Sequence, residues 1–122
     1  MLTAGQVRQC EKVRLNGGVT RRASVVDADF VHLEGLRELD MTFCMAVTDA
    51  AFAHLRGIRL LNMFICSQLS ITDAAFSRLV GIQKLCIRDC NQTTLTDAAF
   101  LHPRGIRELN MSSCTQLTGA AF

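Results

Sequence analysis

The stretch Val47–Cys66 reads VTDAAFAHLRGIRLLNMFIC and contains one complete copy of a unit that recurs along the chain. Thr48 can cap a helix, because its hydroxyl can accept from the free N–H groups of the first turn. Asp49 places a negative charge at the positive end of the helix dipole. Gly57 ends the helix, because the residue after a helix often needs a positive φ. The first part of the unit therefore predicts a short helix.

After this glycine the spacing of the apolar residues changes to that of a strand. Leu61 and Met63 are two residues apart, which is the alternation expected when one face of a strand is buried. Cys66 closes the unit. The unit is therefore a short helix followed by a strand.

The same features recur in phase at intervals of 22 to 24 residues. The recurring residues are Gly35, Gly57, Gly81 and Gly105; Cys44, Cys66, Cys90 and Cys114; Asp27, Asp49, Asp73 and Asp97; and Phe30, Phe52, Phe76, Phe100 and Phe122. A period in the low twenties is typical of stacked repeats. The sequence predicts an α/β solenoid of about five strand-bearing repeats, which begin near residues 10, 36, 58, 82 and 106 and are called units 1 to 5 below.

The apolar frame of these repeats is that of a known family. It reads Leu36-x-x-Leu39-x-Met41-x-x-Cys44, Ile58-x-x-Leu61-x-Met63-x-x-Cys66, Ile82-x-x-Leu85-x-Ile87-x-x-Cys90 and Ile106-x-x-Leu109-x-Met111-x-x-Cys114. This frame resembles the cysteine-containing class of leucine-rich repeats. That class is best known from the C-terminal halves of F-box proteins, where the solenoid recruits substrates for cullin-type ubiquitin ligases. The resemblance covers about residues 10–122 and implies a curved parallel sheet on the concave side with short helices on the convex side.

At 122 residues the chain is expected to be a single leucine-rich-repeat domain, 1–122, with residues 1–9 as an N-terminal cap. The sequence stops at Phe122, where a fifth helix would begin, and no polar C-terminal cap is visible. Two explanations remain open. The chain is a fragment of a longer array, which we favour, or its uncapped C-terminal end pairs with another copy.

The outer units depart from the frame. Gly18 replaces the inward cysteine of unit 1, and Pro103 occupies the position of Leu33, Leu55 and Leu79. Proline inside a short helix removes an N–H and clashes with the preceding turn, so we expect a shortened or irregular segment there. Residues 1–26 contain one acidic residue, Glu11, and five basic residues, namely Arg8, Lys12, Arg14, Arg21 and Arg22. This cluster is either a patch for an acidic partner or a solvated capping end, and we favour the latter.

Composition excludes several classes of protein. The net charge of +2 is too small to indicate nucleic-acid binding, and no apolar run approaches the roughly 18 residues of a membrane span. The N-terminus lacks the apolar segment of a secretory signal, which favours a cytoplasmic or nuclear protein. Four of the six cysteines share one inward position, so we expect reduced structural thiols that donate to loop carbonyls rather than disulfides.

The candidate binding residues are the strand positions that point away from the core. They are Glu38, Asp40 and Thr42 in unit 2; Leu60, Asn62 and Phe64 in unit 3; Lys84, Cys86 and Arg88 in unit 4; and Glu108, Asn110 and Ser112 in unit 5. These positions differ between units whereas the helical side is copied, so we predict a protein or peptide partner on the concave face. Leu60 and Phe64 are either an apolar anchor for that partner or are shielded by neighbouring side chains.

Catalysis and metal binding are not expected, and no cofactor is implied. Cys86 lies between Lys84 and Arg88, which would favour its thiolate, but a nucleophilic enzyme also needs a base. His32, His54 and His102 fall in one helix position on the outer side, far from this cysteine. Cys86 and Cys90 point to opposite sides of a strand and make a poor zinc site.

Three functional hypotheses follow. The leading one is a protein-interaction module that, by its resemblance, recruits a substrate for ubiquitination. A variable recognition receptor or surface adhesin is the first alternative, and oxidised cysteines or occupied glycosylation sequons would favour it. A self-assembling structural repeat, joined through its C-terminal end, is the second.

Overall fold

The computed structural model describes residues 25–103 and 105–118, together with the backbone of 12–14. Five strands alternate with four helical segments. The strands are β1 (Lys12–Arg14), β2 (Glu38–Asp40), β3 (Leu60–Asn62), β4 (Lys84–Cys86) and β5 (Glu108–Asn110). The helical segments are Asp27–Leu33, Asp49–His54, Asp73–Phe76 and Asp97–Leu101. The predicted α/β class is confirmed.

The strands form one parallel sheet in chain order, β1-β2-β3-β4-β5. The central residues stand side by side without any shift, so Leu39 pairs with Leu61, Leu61 with Leu85, and Leu85 with Leu109. Each helical segment packs against the next one along the chain. Because the described units stack on one another in chain order, equivalent side chains of successive units form rows across this part of the molecule.

The core lies between the sheet and the helical segments. The strands contribute Leu39, Leu61 and Leu85, and the helical segments contribute Phe30, Phe52 and Phe76, all of them buried. Phe76 and Phe100 meet edge to face, with ring centroids 5.9 Å apart. The inward positions predicted for units 2 to 4 are buried throughout.

The helical segments differ in type from the expected short α-helices. Three of the four are 3₁₀ helices, and only Asp73–Phe76 is a single α-helical turn. Their backbone bonds span three residues, as from Ala51 N–H to the Thr48 carbonyl at 3.2 Å. The 3₁₀ form rises about 2.0 Å per residue against 1.5 Å for the α form, so fewer residues cross the same distance in a short connection.

The segment at Pro103 is short, but proline does not account for its length. It ends at Leu101, whereas the first two segments extend through Leu33 and His54. The α-helical turn Asp73–Phe76 is shorter still and has no proline. Pro103 is buried, as are the leucines at the equivalent positions. Its ring therefore fills the same place in the core.

The predicted threonine caps are present. The Thr48 hydroxyl accepts from the Ala50 N–H at 3.2 Å, and Thr72 and Thr96 repeat the bond in the next two units. The first segment has Val26 in this place, and valine has no hydroxyl. There Asp29 reaches back and accepts from the Val26 N–H at 3.0 Å. Buried Asp29 stands where the other units have an alanine, and its carboxylate bonds to the backbone at the start of its own segment.

Each of units 2 to 4 turns twice through the left-handed region. Gly57 has φ +80°, as expected for a glycine that follows a helix. The second turn was not anticipated, and it lies just before the inward cysteine, at Phe43, Ile65, Asp89 and Ser113 with φ of 60° to 63°. For β-branched Ile65 this conformation is strained.

Several expectations fall outside the described residues. These are the cap at 1–9, the structure around Gly18, the side chains of the N-terminal basic cluster, and the region of Phe122. The backbone of Lys12–Arg14 is described and pairs in parallel with β2, as predicted for unit 1.

Candidate functional site on the open face of the sheet

The side of the sheet that faces away from the core is called the sheet face, and its side chains form three rows. The first row is Glu38, Leu60, Lys84 and Glu108; the second is Asp40, Asn62, Cys86 and Asn110; the third is Thr42, Phe64, Arg88 and Ser112. The twelve predicted residues therefore lie together on neighbouring units. The third row is not in the strands, as was expected, but in the turns that follow them.

The second row has a structural role that the sequence reading did not assign. Asn62 accepts from the Phe64 N–H at 3.0 Å, and Asn110 accepts from the Ser112 N–H at 3.0 Å. Asp40 accepts from both the N–H and the hydroxyl of Thr42, at 3.0 and 2.5 Å. Short Asx side chains form such turns readily. This row therefore shapes the turn after each strand, and only Cys86 departs from the pattern.

The centre of the sheet face is a shallow depression over β3, β4 and β5. Its volume is about 290 Å³. Its lining residues are Leu60, Leu61, Asn62, Lys84, Leu85, Cys86, Glu108, Leu109 and Asn110. Leu60 and Cys86 are half-buried there. The depression therefore has an apolar floor that a partner side chain could contact.

Charged side chains border this floor on the β4 and β5 side. Lys84 Nζ lies 2.9 Å from Glu108 Oε2, and both side chains are largely exposed. The hydrogen bond that Lys84 donates to Glu108, together with the negative charge of Glu108, raises the pKa of Lys84 above its ordinary value. Exposed pairs of this kind are easily exchanged for other partners, since solvent screens them. The pair can thus open toward a ligand at small cost.

Leu60 and Phe64 differ in whether a neighbouring side chain shields them. Phe64 is half-buried, and the Arg88 guanidinium lies 5.2 Å from its ring centroid, within cation–π range. Phe64 is therefore shielded by a neighbouring side chain, which is the second of the two alternatives that the sequence left open for this pair. Leu60 faces the depression instead, so it is the side chain of this pair that remains available as an anchor.

The inward cysteines donate to backbone carbonyls, as the sequence predicted, and for three of them the acceptor lies in the preceding unit. Cys66 Sγ donates to the Met41 carbonyl at 3.1 Å, and Cys90 and Cys114 repeat the contact one unit further on. The described cysteines are free thiols. Burial raises the pKa of Cys66 from 9.0 to about 12 and also raises the pKa values of Cys90 and Cys114. Among the described residues, no cluster of three His, Cys, Asp or Glu side chains could hold a metal ion.

A second set of bonds between units was missed from the sequence. The Asp49 carboxylate accepts from the N–H and the hydroxyl of Thr72 in the next unit, at 2.7 and 2.6 Å. Asp27, Asp73 and Asp97 bond in the same way to Thr48, Thr96 and Thr118. We call this the Asp–Thr ladder. These aspartates were assigned to the helix dipole, but the recurrence of a threonine before Asp49, Asp73 and Asp97, one repeat after the preceding aspartate, was the signal of a bond between units.

Glutamine side chains make a parallel set of bonds. Gln68 Nε2 donates to the Cys44 and Val47 carbonyls at 2.8 and 2.9 Å. Gln92 and Gln116 reach back to Cys66 and Cys90 in the same way. These glutamines satisfy loop carbonyls that the stacking of units buries. Units 3 to 5 thus each donate side-chain bonds to the unit before them.

The histidines belong to the helical side. His32 and His54 lie in the first two helical segments, and His102 follows the fourth. His54 Nδ1 lies 3.0 Å from Glu34 Oε2 of the preceding unit. The part of the chain that the structure describes contains no helix long and apolar enough to cross a membrane.

No protein-family model matches the chain, and no curated protein matches it significantly. Among solved structures, the chain is similar to one described as the crystal structure of a Rad7 and Elc1 complex in yeast, with 13% sequence identity and a TM-score of 0.48. The match covers 80% of this chain and 42% of that chain, so this chain spans less than half the length of its neighbour. The function proposed below rests on the geometry of the sheet face and not on this likeness.

Proposed function

We propose that the chain is a leucine-rich-repeat solenoid of five strand-bearing units that binds a partner protein or peptide on its concave sheet face. The observation that carries this proposal is the depression over β3 to β5, with Leu60 in its apolar floor. When a partner covers a half-buried leucine at an open sheet position, the remaining apolar surface of the leucine leaves water, and this stabilises the complex. The copied core needs no such partner, because its side chains are already buried.

The surroundings of Leu60 have the composition of an interface centre. The Lys84–Glu108 pair and Arg88 supply both signs of charge around an apolar floor, which is the usual arrangement of a polar rim around a buried anchor. Completing the burial of Leu60 would contribute about 1 kcal/mol, roughly half of the value for a fully exposed leucine. The charged rim would act more on orientation and association rate than on affinity.

Within this proposal the biological role is substrate recruitment for a ubiquitin ligase, in the cytoplasm or nucleus, without catalysis by the chain itself. It is supported by the resemblance of the repeat frame to the cysteine-containing leucine-rich repeats. The free described cysteines support it against a secreted receptor or adhesin, where oxidising conditions would favour disulfides.

Site-specific photo-crosslinking tests the proposal. A photo-reactive residue is placed at Leu60 and, as a matched control, at Leu69, which is 64% exposed in a loop and does not line the depression. We expect a defined protein to crosslink from position 60 in lysate and not from position 69. With that protein purified, Leu60→Ser should weaken binding about fivefold and Leu69→Ser should leave it unchanged. Equal crosslinking from both positions, or none from position 60, would refute binding at the sheet face.

Self-association is a second candidate, and one observation favours it. Ile106, Leu109, Met111 and Leu117 of unit 5 are only half-buried, whereas their equivalents in units 2 to 4 are buried. A second copy packed beside β5 would cover them. Sedimentation velocity over a hundredfold concentration range should then show a shift toward dimer, and Leu109→Lys should abolish that shift. A concentration-independent monomer would eliminate this candidate.

A further inference from the structure

The edge of the molecule at which the strands begin is lined by arginines. Arg37, Arg59 and Arg107 each stand one residue before a strand, and Arg56 and Arg78 follow the second and third helical segments. All five are exposed. We call them the arginine edge.

Three of these arginines belong to one backbone ladder. The Arg59 N–H donates to the Arg37 carbonyl at 2.8 Å, the Gln83 N–H donates to the Arg59 carbonyl at 2.8 Å, and the Arg107 N–H donates to the Gln83 carbonyl at 2.8 Å. Neighbouring strands are about 4.8 Å apart, so Arg37 and Arg59 are direct neighbours of like charge. Like charges at facing positions destabilise a sheet. The edge therefore carries a cost that folding alone does not explain.

The arginines are not neutralised within the described structure. None of the five makes an ion pair with any residue that the structure describes. Of the described acids near this edge, Glu34 is bonded to His54, and Glu108 pairs with Lys84 on the sheet face. Glu38 follows Arg37 but makes no ion pair with it. The aspartates of the Asp–Thr ladder begin the helical segments, at the opposite edge. The two edges thus differ in charge although the whole chain has a net charge of only +2.

A recess lies between two of the arginines. It has a volume of about 270 Å³ and is lined by Arg56, Gly57, Ser77, Arg78 and Val80. Arg56 and Arg78 line it from two successive units. Guanidinium groups bind carboxylates through paired N–H donors, so the recess suits a carboxylate side chain.

We propose that the arginine edge binds an acidic peptide segment of a partner protein. Its carboxylates pair with Arg37, Arg59 and Arg107 along the edge, and one of them enters the recess between Arg56 and Arg78. The spacing fits, because acidic residues one helical turn apart are about 5.4 Å apart, close to the roughly 4.8 Å between Arg37 and Arg59. Gln83 stands between Arg59 and Arg107, and two helical turns of about 10.8 Å match their two strand spacings of about 9.6 Å. This surface is separate from the sheet face and does not depend on the function proposed for it.

A peptide is favoured over nucleic acid by the composition of the edge. Single-stranded nucleic acids bind where bases stack on aromatic side chains beside a basic groove. The chain has no Trp or Tyr. Among its described phenylalanines, Phe30, Phe52, Phe76 and Phe100 are buried, and Phe43 and Phe64 follow the strands at the opposite edge. The described part of the arginine edge therefore offers no stacking platform.

The test uses a fluorescein-labelled decaglutamate peptide and the full chain in fluorescence anisotropy at low ionic strength. The variant Arg37→Glu, Arg59→Glu reverses two charges of the edge. The matched control, Lys84→Glu, Arg88→Glu, makes the same change of net charge on the sheet face. We expect the edge variant to lose at least about tenfold in affinity and the control less than about threefold. Equal losses would show an effect of net charge alone and overturn the proposal, as would no binding by the unmodified chain.

Two further measurements in the same assay test the location of the site and the class of ligand. Arg56→Gln, Arg78→Gln should also weaken peptide binding at least about fivefold, and an unchanged affinity would remove the recess from the site. A labelled oligothymidylate of equal charge should bind more weakly than the peptide. Tighter binding of the oligonucleotide would contradict the assignment to an acidic peptide.

Thermal unfolding tests the electrostatic cost without any ligand. Arg59→Gln, which copies the natural Gln83, should raise Tm by about 2 °C at low salt, and the gain should shrink at high salt. Lys84→Gln breaks the pair with Glu108 and should give no such gain. A fall in Tm for Arg59→Gln would overturn the argument from repulsion.

Discussion

Polar side chains in the loops and helical segments, called here the loop side, differ from those on the sheet face in the partners they bond to. On the loop side they cross from one unit to the next, as from Asp49 to Thr72 or from Gln68 to the Cys44 carbonyl. On the sheet face the second row bonds within a unit, as from Asn62 to the Phe64 N–H. The first and third rows also pair across units, as Lys84 with Glu108 and Arg88 with Phe64, but these contacts are exposed or half-buried. A side chain that satisfies buried groups of the neighbouring unit has to be copied, whereas solvent can replace either partner of an exposed pair, so the first and third rows are free to vary.

The largest expected difference between the two sides concerns two phenylalanines. Phe76→Ala removes a fully buried ring that meets Phe100 edge to face and should cost about 3–5 kcal/mol of unfolding free energy. Phe64→Ala removes a half-buried ring stacked with Arg88 and should cost about 1 kcal/mol. Urea denaturation of both variants measures the difference. Similar costs would mean that the sheet face is part of the core.

The Asp–Thr ladder should show the next largest effect. Asp49→Ala leaves the Thr72 N–H and hydroxyl without their acceptor and should cost about 2–3 kcal/mol. Asp49→Asn keeps one acceptor oxygen for the N–H and should cost less. The sheet-face control Glu108→Ala should change stability by about 0.5 kcal/mol or less. An Asp49→Ala variant as stable as this control would contradict the role of the ladder.

The inward thiols predict a loss of stability at alkaline pH. The pKa of Cys66 is raised from 9.0 to about 12 by burial, so between these values the folded state holds a proton that the unfolded state has lost. The contribution of this protonated thiol to the unfolding free energy is fully present below pH 9. It falls by about 1.4 kcal/mol per pH unit as the pH rises toward 12. Cys66→Ala should flatten this part of the unfolding free energy against pH. An unchanged slope would mean that the thiol ionises without cost in the folded state.

The smallest expected effect concerns the turn after the helical segment. Gly57 has φ +80°, and a Cβ added there would touch nothing within 4 Å. Gly57→Ala should therefore cost about 1 kcal/mol through backbone strain alone. Gly57→Asn should cost less, because asparagine tolerates the left-handed region. Equal melting temperatures for the glycine and alanine proteins would show that the turn adopts another conformation.

Features with a constraint inside one unit could be predicted from the sequence. The alternation at Leu61 and Met63, the cap at Thr48 and the turn at Gly57 each follow from a few neighbouring residues. The inward cysteines could be placed because their spacing repeats with the leucines.

Features that depend on two units, or that have no distinctive local sequence signal, were harder to predict. The partner of Asp49 is 23 residues away, and only the stacking of units brings it to Thr72. Asn62 was assigned to a partner because it lies on the sheet face, yet it bonds to the turn of its own unit. The left-handed conformation of Ile65 has no local sequence signal, since isoleucine disfavours it. The 3₁₀ form likewise follows from the length of the connection and not from helix propensity.

The separation of stability from binding can be measured most directly on Leu60→Ser. The variant changes one half-buried side chain in the depression and leaves the residues of the Asp–Thr ladder and of the glutamine bonds unchanged. We predict that its unfolding free energy stays within about 1 kcal/mol of the parent while its affinity for the protein crosslinked at position 60 falls about fivefold. A loss of 2 kcal/mol or more in stability with unchanged affinity would contradict the assignment of the sheet face to binding.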